Sequence, residues 1–266
     1  MTKAQSRIDP WARLKTFTAA RIGLGRSGSA LPTHEVLKFA LAHAQARDAV
    51  TSHLDWTPVE HELSALGLKT LHARSSATSR DVYLRRPDLG RELSHKSRQD
   101  LTDFASKKGR GSAAPDLAVV VADGLSSKAV TQNAAKLLAS LLPFAKKNKW
   151  KLAPVVLADQ ARVAFGDEVG ELLGAKAVVV LIGERPGLSS PDSLGIYLTF
   201  APRHGRKDAD RNCISNVRPG GLPYDEAAFK LAWLTKEALR RKLTGVNLKD
   251  ESNYQIEAGP AAKQIG

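Results

Sequence analysis

Three short, continuous apolar runs dominate the second half of this 266-residue chain. They are Leu117-Ala118-Val119-Val120-Val121, Pro154-Val155-Val156-Leu157 and Ala177-Val178-Val179-Val180-Leu181-Ile182. Each is bounded by turn signals and lacks the polar alternation of a half-exposed strand, so each reads as a strand buried on both faces. Helical spacing fills the gaps. Ala129, Val130, Ala134, Leu137, Leu138 and Leu141 form one face of a segment reaching about Lys149, and another helix is expected from about 159 to 173. Strands alternating with helices imply a parallel sheet with covering helices and right-handed crossovers. A last amphipathic helix is expected over 224–243. The predicted fold class is therefore α/β: a doubly wound, mostly parallel, Rossmann-like sheet domain, preceded by a helical N-terminal region.

That N-terminal region shows different patterning. Trp11, Leu14, Phe17 and Ile22 recur at near-helical spacing after Asp9-Pro10, a cap followed by a first-turn proline. A second helix is expected from Pro32-Thr33, with Val36, Leu37, Ala40, Leu41 and Ala44 on its apolar face, and a third over 87–104. The stretch 75–79 (SSATS) reads as a loop, and 107–115 (KKGRGSAAP) as a linker. The expected organisation is a helical region at 1–106, a linker at 107–115, the sheet domain at 116–250 and a tail at 251–266.

No apolar run approaches the ~20 residues that span a bilayer, and the N-terminus lacks the apolar core of a signal peptide. A cytoplasmic location without a membrane partner is expected. With 40 basic and 27 acidic residues the net charge is +13, for which nucleic acid is the first partner to consider. The basic pairs Arg85-Arg86, Lys107-Lys108 and Lys146-Lys147 lie far apart, however, and no RNP-type or zinc-finger pattern accompanies them. The charge reads as solvated helix surface facing an acidic partner protein. The single cysteine, Cys213, excludes an internal disulfide and a multi-cysteine metal site; it either packs as a small hydrophobe or lines a site.

Gly23-Leu24-Gly25-Arg26-Ser27-Gly28 fits GxGxxG, with Asp48 20 residues beyond the last glycine. The required preceding strand is missing, because residues 10–22 have helical spacing. A stand-alone nucleotide-binding α/β enzyme is the alternative this motif would support. The chain has no Walker sequence, GxSxG or HExxH, and its seven histidines show no ligand spacing. What remains is the sheet edge. The loops at 123–127, after Leu157 and at 183–190 should leave the C-terminal ends of the strands on one side, where open α/β sheets bind ligands. Their polar groups are hydroxyls, amides and a carboxylate, with no nucleophile beside a base. Glu184 and Asp123 either serve such a site or merely cap helices and pair with Arg185.

Several long strings then carry a resemblance: LGRSGSALPT (24–33), AHAQARDAV (42–50), YLRRPDLGR (83–91), VVADGLSSKAV (120–130), GERPGLSSPDSLGIYLT (183–199) and DADRNCISNVRPGGL (208–222). From about residue 9 to 248 the chain resembles the small subunit of ethanolamine ammonia-lyase. The resemblance implies an adenosylcobalamin-dependent enzyme that converts ethanolamine to acetaldehyde and ammonia through a 5′-deoxyadenosyl radical. It implies a TIM-barrel large subunit as partner, which holds the substrate and the catalytic residues, while the small subunit closes over the cobalamin. It also implies cytoplasmic residence, with a bacterial microcompartment as the further address. Carried over residue by residue, the implied cobalamin contacts are Val163, Glu184 and Cys213, with Gly183, Arg185 and Ser189 as neighbours. No catalytic residue and no protein metal ligand is expected on this chain. The D-x-H-x-x-G loop that supplies a histidine to cobalt is absent, so base-on cofactor is expected.

Overall fold

The computed structural model describes residues 13–18, 20–107 and 113–252. Six strands form one sheet in the order β1-β3-β2-β4-β5-β6. The strands are β1 (Thr70–Arg74), β2 (Leu117–Ala122), β3 (Val155–Asp159), β4 (Ala177–Gly183), β5 (Leu194–Phe200) and β6 (Arg211–Val217). β1, β3, β2 and β4 run parallel, whereas β5 and β6 pair antiparallel beyond β4. Seven α-helices accompany them among the described residues: α1 (Thr33–Thr51), α2 (Thr57–Ala65), α3 (Arg80–Arg85), α4 (His95–Lys107), α5 (Ser127–Lys147), α6 (Phe165–Leu172) and α7 (Tyr224–Arg241). The fold is thus mixed α/β with a mostly parallel sheet.

Burial explains why the apolar runs became strands. Every residue of β2 and β4 is buried. Their side chains alternate between two cores. Leu117, Val119 and Val121 pack with α2, α5 and α7 on one face, and Ala118, Val120 and Ala122 pack with α4 and α6 on the other. Local chemistry starts the main crossover helix where it does: the Ser126 hydroxyl accepts from the Ala129 amide at 3.1 Å and caps α5.

Several expectations need correction. Residues 70–74, placed in a helical region, form β1 at the sheet edge, so that region contributes to the sheet. β5 and β6 were not foreseen as strands. The helix expected over 87–104 divides into a 3-10 turn at Leu89–Arg91 and α4. The N-terminal helix through Ile22 reduces, among described residues, to a 3-10 turn at Leu14–Thr16; Asp9, Pro10 and Trp11 lie outside the described residues, as do 108–112 of the linker and 253–266 of the tail. Among the described residues nothing covers the expected apolar face of α1: Val36, Leu37 and Leu41 are exposed, and only Ala49 of that helix is buried.

The loop after β2 locks against the end of β4. Gly124 has φ +56, and a Cβ there would stand 2.3 Å from the Gly183 carbonyl oxygen. A Cβ on Gly183 would meet the Ser126 carbonyl oxygen at 2.1 Å. Both positions exclude any side chain. Gly183→Ala is therefore expected to lower the unfolding free energy by about 1–3 kcal/mol, the usual cost of overpacking. A denaturant titration with an unchanged midpoint would contradict that close approach.

Candidate functional site

The C-terminal ends of β2, β3 and β4 open onto a cavity of about 490 Å³. Leu125 enters from the loop after β2, Arg162, Val163 and Ala164 from the loop after β3, and Ile182, Gly183, Glu184 and Arg185 from the end of β4. Three loops expected on one side of the sheet thus meet at one cavity. Tyr83, Arg91, Tyr197 and Asp208 complete its wall. A second hollow of about 470 Å³ adjoins it, sharing Arg91, Ala164 and Asp208.

A buried polar cluster holds the β3 loop in place. The Asp123 carboxylate accepts from the Ala161 amide at 3.2 Å and from Arg80 Nη1 at 3.3 Å. Arg80 is buried and also donates through Nε to the Val50 carbonyl at 2.7 Å, joining the end of α1 to the sheet edge. The Tyr83 hydroxyl donates to the Ala161 carbonyl at 3.2 Å. The Arg80 and Arg162 guanidinium carbons lie 4.8 and 4.6 Å from the centre of the Tyr83 ring. Arg162 Nε is buried without a hydrogen-bond partner among the described residues, on the wall of the cavity.

Glu184 is oriented from several directions. Its carboxylate accepts from the Ser193 hydroxyl and from the Asn216 amide, the latter at 3.3 Å. Its own amide donates to the Ser193 carbonyl at 2.9 Å. The buried Gly195 makes room for it: a Cβ there would lie 2.9 Å from Glu184 Oε1 and 3.1 Å from the Tyr197 ring. Cys213 stands on β6, directly opposite Tyr197 of β5. Its side chain is exposed. The desolvation it does experience pushes the thiol up, the neighbouring Tyr197 hydroxyl pulls it back, and the nearby Glu184 carboxylate adds to the rise.

Val163 and Glu184 therefore line one cavity, and Cys213 adjoins it through Tyr197. Gly183 and Arg185 line the same cavity. Ser189 does not; with Leu188 it lines a separate hollow beside Lys15, Arg21 and Lys38. Sequence reasoning missed Tyr83, Arg91, Arg162, Tyr197 and Asp208. Tyr83, Arg91, Tyr197 and Asp208 lay inside the strings at 83–91, 183–199 and 208–222, whereas Arg162 carried no such signal. Among the described residues no group of three or more His, Cys, Asp or Glu side chains could hold a metal ion. No helix among them is long and apolar enough to cross a membrane.

Fold and site together define an α/β chain whose sheet-edge cavity offers oriented acceptors and cations, without a nucleophile–base pair. Residues 8–249 match the ethanolamine ammonia-lyase light chain (EutC) family. The chain is 54% identical over 256 residues to the ethanolamine ammonia-lyase small subunit of Xanthomonas campestris pv. campestris, covering 96% of this chain and 93% of that one. It is 56% identical over 246 residues to the small subunit of Azotobacter vinelandii, covering 92% and 89% of the two chains. With that of Rhodopseudomonas palustris it shares 51% identity over 265 residues, or 100% and 98%. The chain belongs to the ethanolamine ammonia-lyase light chain family and is a small subunit of that carbon–nitrogen lyase.

The buried Asp123 yields a test of the site's floor. Burial pushes its carboxyl up to about 6, against the pull of Arg80 and the Gln160 and Ala161 amides. The folded chain then binds this proton more tightly than the unfolded chain. Asp123's own contribution to stability therefore falls as pH rises from 3.8 towards about 6 and is level above that. Asp123→Asn is expected to remove this downward slope of unfolding free energy, which reaches about 1.4 kcal/mol per pH unit at most. Identical slopes in wild type and variant would contradict the buried carboxyl.

Proposed function

We propose that this chain is the cofactor-covering subunit of an adenosylcobalamin-dependent ethanolamine ammonia-lyase, which forms acetaldehyde and ammonia. The observation that carries the reading is the meeting of Val163 and Glu184 in one open cavity, with Cys213 adjoining it. The donor chemistry fits a cobalamin. Glu184 and the backbone at the end of β4 suit the corrin's side-chain amides, Val163 suits its apolar edge, and Arg162 Nε is a buried donor awaiting an acceptor. A cobalamin is too large for this cavity to enclose, so the chain covers part of it and the large subunit the rest. When bound, the cofactor supplies the radical that abstracts hydrogen from the substrate. This chain's residues bind and orient the cofactor and exclude water from its exposed side; substrate and catalytic residues belong to the large subunit. The absent D-x-H-x-x-G loop supports base-on binding.

The partner reading has support in the surface. Phe17, Leu31, Val36, Leu37, Phe39 and Leu41 are all exposed, more apolar surface than a lone chain ordinarily leaves to water. We place the large subunit on these exposed residues and α1, within the proposed region 1–106, and read the +13 charge as complementing an acidic partner. The linker at 107–115, a Rossmann-like doubly wound sheet domain at 116–250 and a tail at 251–266 complete the proposed organisation. Cytoplasmic residence, with entry into a bacterial microcompartment, belongs to the same reading. The nucleotide-enzyme alternative loses its motif, since Gly23, Gly25 and Gly28 precede α1 and no strand occupies residues 13–22 among those described.

Glu184→Ala is expected to weaken cobalamin binding to the two-subunit complex by about 1–3 kcal/mol, the cost of a lost buried hydrogen bond. Equilibrium titration followed by the cofactor's visible absorbance measures it. Unchanged affinity in an intact complex would remove Glu184 from the site.

A further inference from the structure

We infer that Arg91 and Arg162 form an anion subsite where the two hollows meet, and that it takes the phosphodiester of the cofactor's nucleotide tail. The charged residues lining the first cavity are Arg91, Arg162, Arg185, Glu184 and Asp208. Both carboxylates already have donors within the chain. Glu184 accepts from the Ser193 hydroxyl and the Asn216 amide, and Asp208 Oδ1 lies 3.5 Å from Nε of the buried Arg211. The arginines are less committed. The Arg91 and Arg185 side chains make no hydrogen bond or ion pair among the described residues. Arg162 donates from Nη2 to the Tyr83 carbonyl at 3.3 Å, and its Nε is buried without a partner among the described residues. A buried, unpaired charged donor is costly, and an anion beside the guanidinium offsets that cost.

Local structure joins the two arginines. The Arg162 amide donates to the Gly90 carbonyl at 2.8 Å, which sets Arg162 beside the 3-10 turn that ends at Arg91. Gly90 permits the approach: a Cβ there would stand 2.9 Å from the Tyr83 ring and 3.1 Å from Arg162 Cγ. The Tyr83 ring holds the Arg162 guanidinium against its face, 4.6 Å from the ring centre. Arg162 is thus ordered before any ligand arrives, which lowers the entropy lost on binding. Arg91 lines both hollows, so the subsite stands at their junction. The planar fork of an arginine matches a phosphate group better than a neutral amide. The corrin's side chains are amides, whereas the phosphodiester of the nucleotide tail carries a negative charge. That choice of ligand rests on the function proposed above; the paired arginines stand on this chain alone.

Two experiments test the inference. In the first, phenylglyoxal modifies the arginines of the full-length chain with and without inorganic phosphate, chloride holding the ionic strength constant, and mass spectrometry reads each peptide. Phosphate is expected to slow modification of Arg91 and Arg162 about twofold at half-occupancy and to leave the exposed Arg47 of α1 unchanged. Equal slowing at all three positions, or none, would overturn the subsite. In the second, the two-subunit complex is titrated with cyanocobalamin and with dicyanocobinamide, which keeps the corrin but lacks the nucleotide tail and its phosphodiester. Arg91→Gln is expected to weaken cobalamin binding about tenfold, the order of one charge-assisted hydrogen bond, and to leave cobinamide binding unchanged. A merely structural role would weaken both ligands alike. That outcome, or no change with either ligand, would overturn the phosphodiester as occupant. If the wild-type complex binds neither corrinoid, the proposed function fails, while the phosphate experiment still decides the subsite.

Discussion

The rest of the structure depends on the complete burial of β2 and β4, adjacent parallel strands with a core on each face. Parallel pairing forces the chain to return over the sheet through a helix, and burial of both faces requires helices on both sides. The same constraint brings the C-terminal ends of β2, β3 and β4 to one edge. Their backbones can approach closely there only because Gly124 and Gly183 carry no side chain. The cavity is the consequence of that edge. Its walls come from loops whose starting points the sheet dictates.

The chemistry at the edge is one of holding rather than reacting. Glu184 is an acceptor tied by a hydroxyl and an amide, Val163 is apolar, and Arg162 stacks on the Tyr83 ring. Asp123 and Arg80 spend their charge on each other beneath the β3 loop, in surroundings that exclude water. A pair of this kind fixes geometry more than it stabilises, because desolvation offsets most of its attraction.

Much of this was legible in the residues. The runs at 117–121, 154–157 and 177–182 became β2, β3 and β4 because an unbroken apolar strand has only one place in a soluble fold. β1 escaped notice because Thr70–Arg74 is an edge strand with a mixed burial pattern and polar residues at three of its five positions. β6 hid for the same reason, since RNCISNV buries only Arg211, Ile214 and Val217. The exposure of α1 could not be read from its periodicity, which marks an apolar face without saying whether the same chain covers it. Val163, Glu184 and Cys213 came from family resemblance. Arg162 became visible only when the sheet placed it beside those residues.

The most direct measurement is a titration of adenosylcobalamin onto the large subunit with and without this chain, followed by assay with ethanolamine. The proposed division of labour predicts that adding the chain tightens cofactor binding at least about tenfold, or 1.4 kcal/mol, and that acetaldehyde forms only when both subunits are present. Equal affinity without the chain, or turnover of ethanolamine by this chain alone, would contradict it.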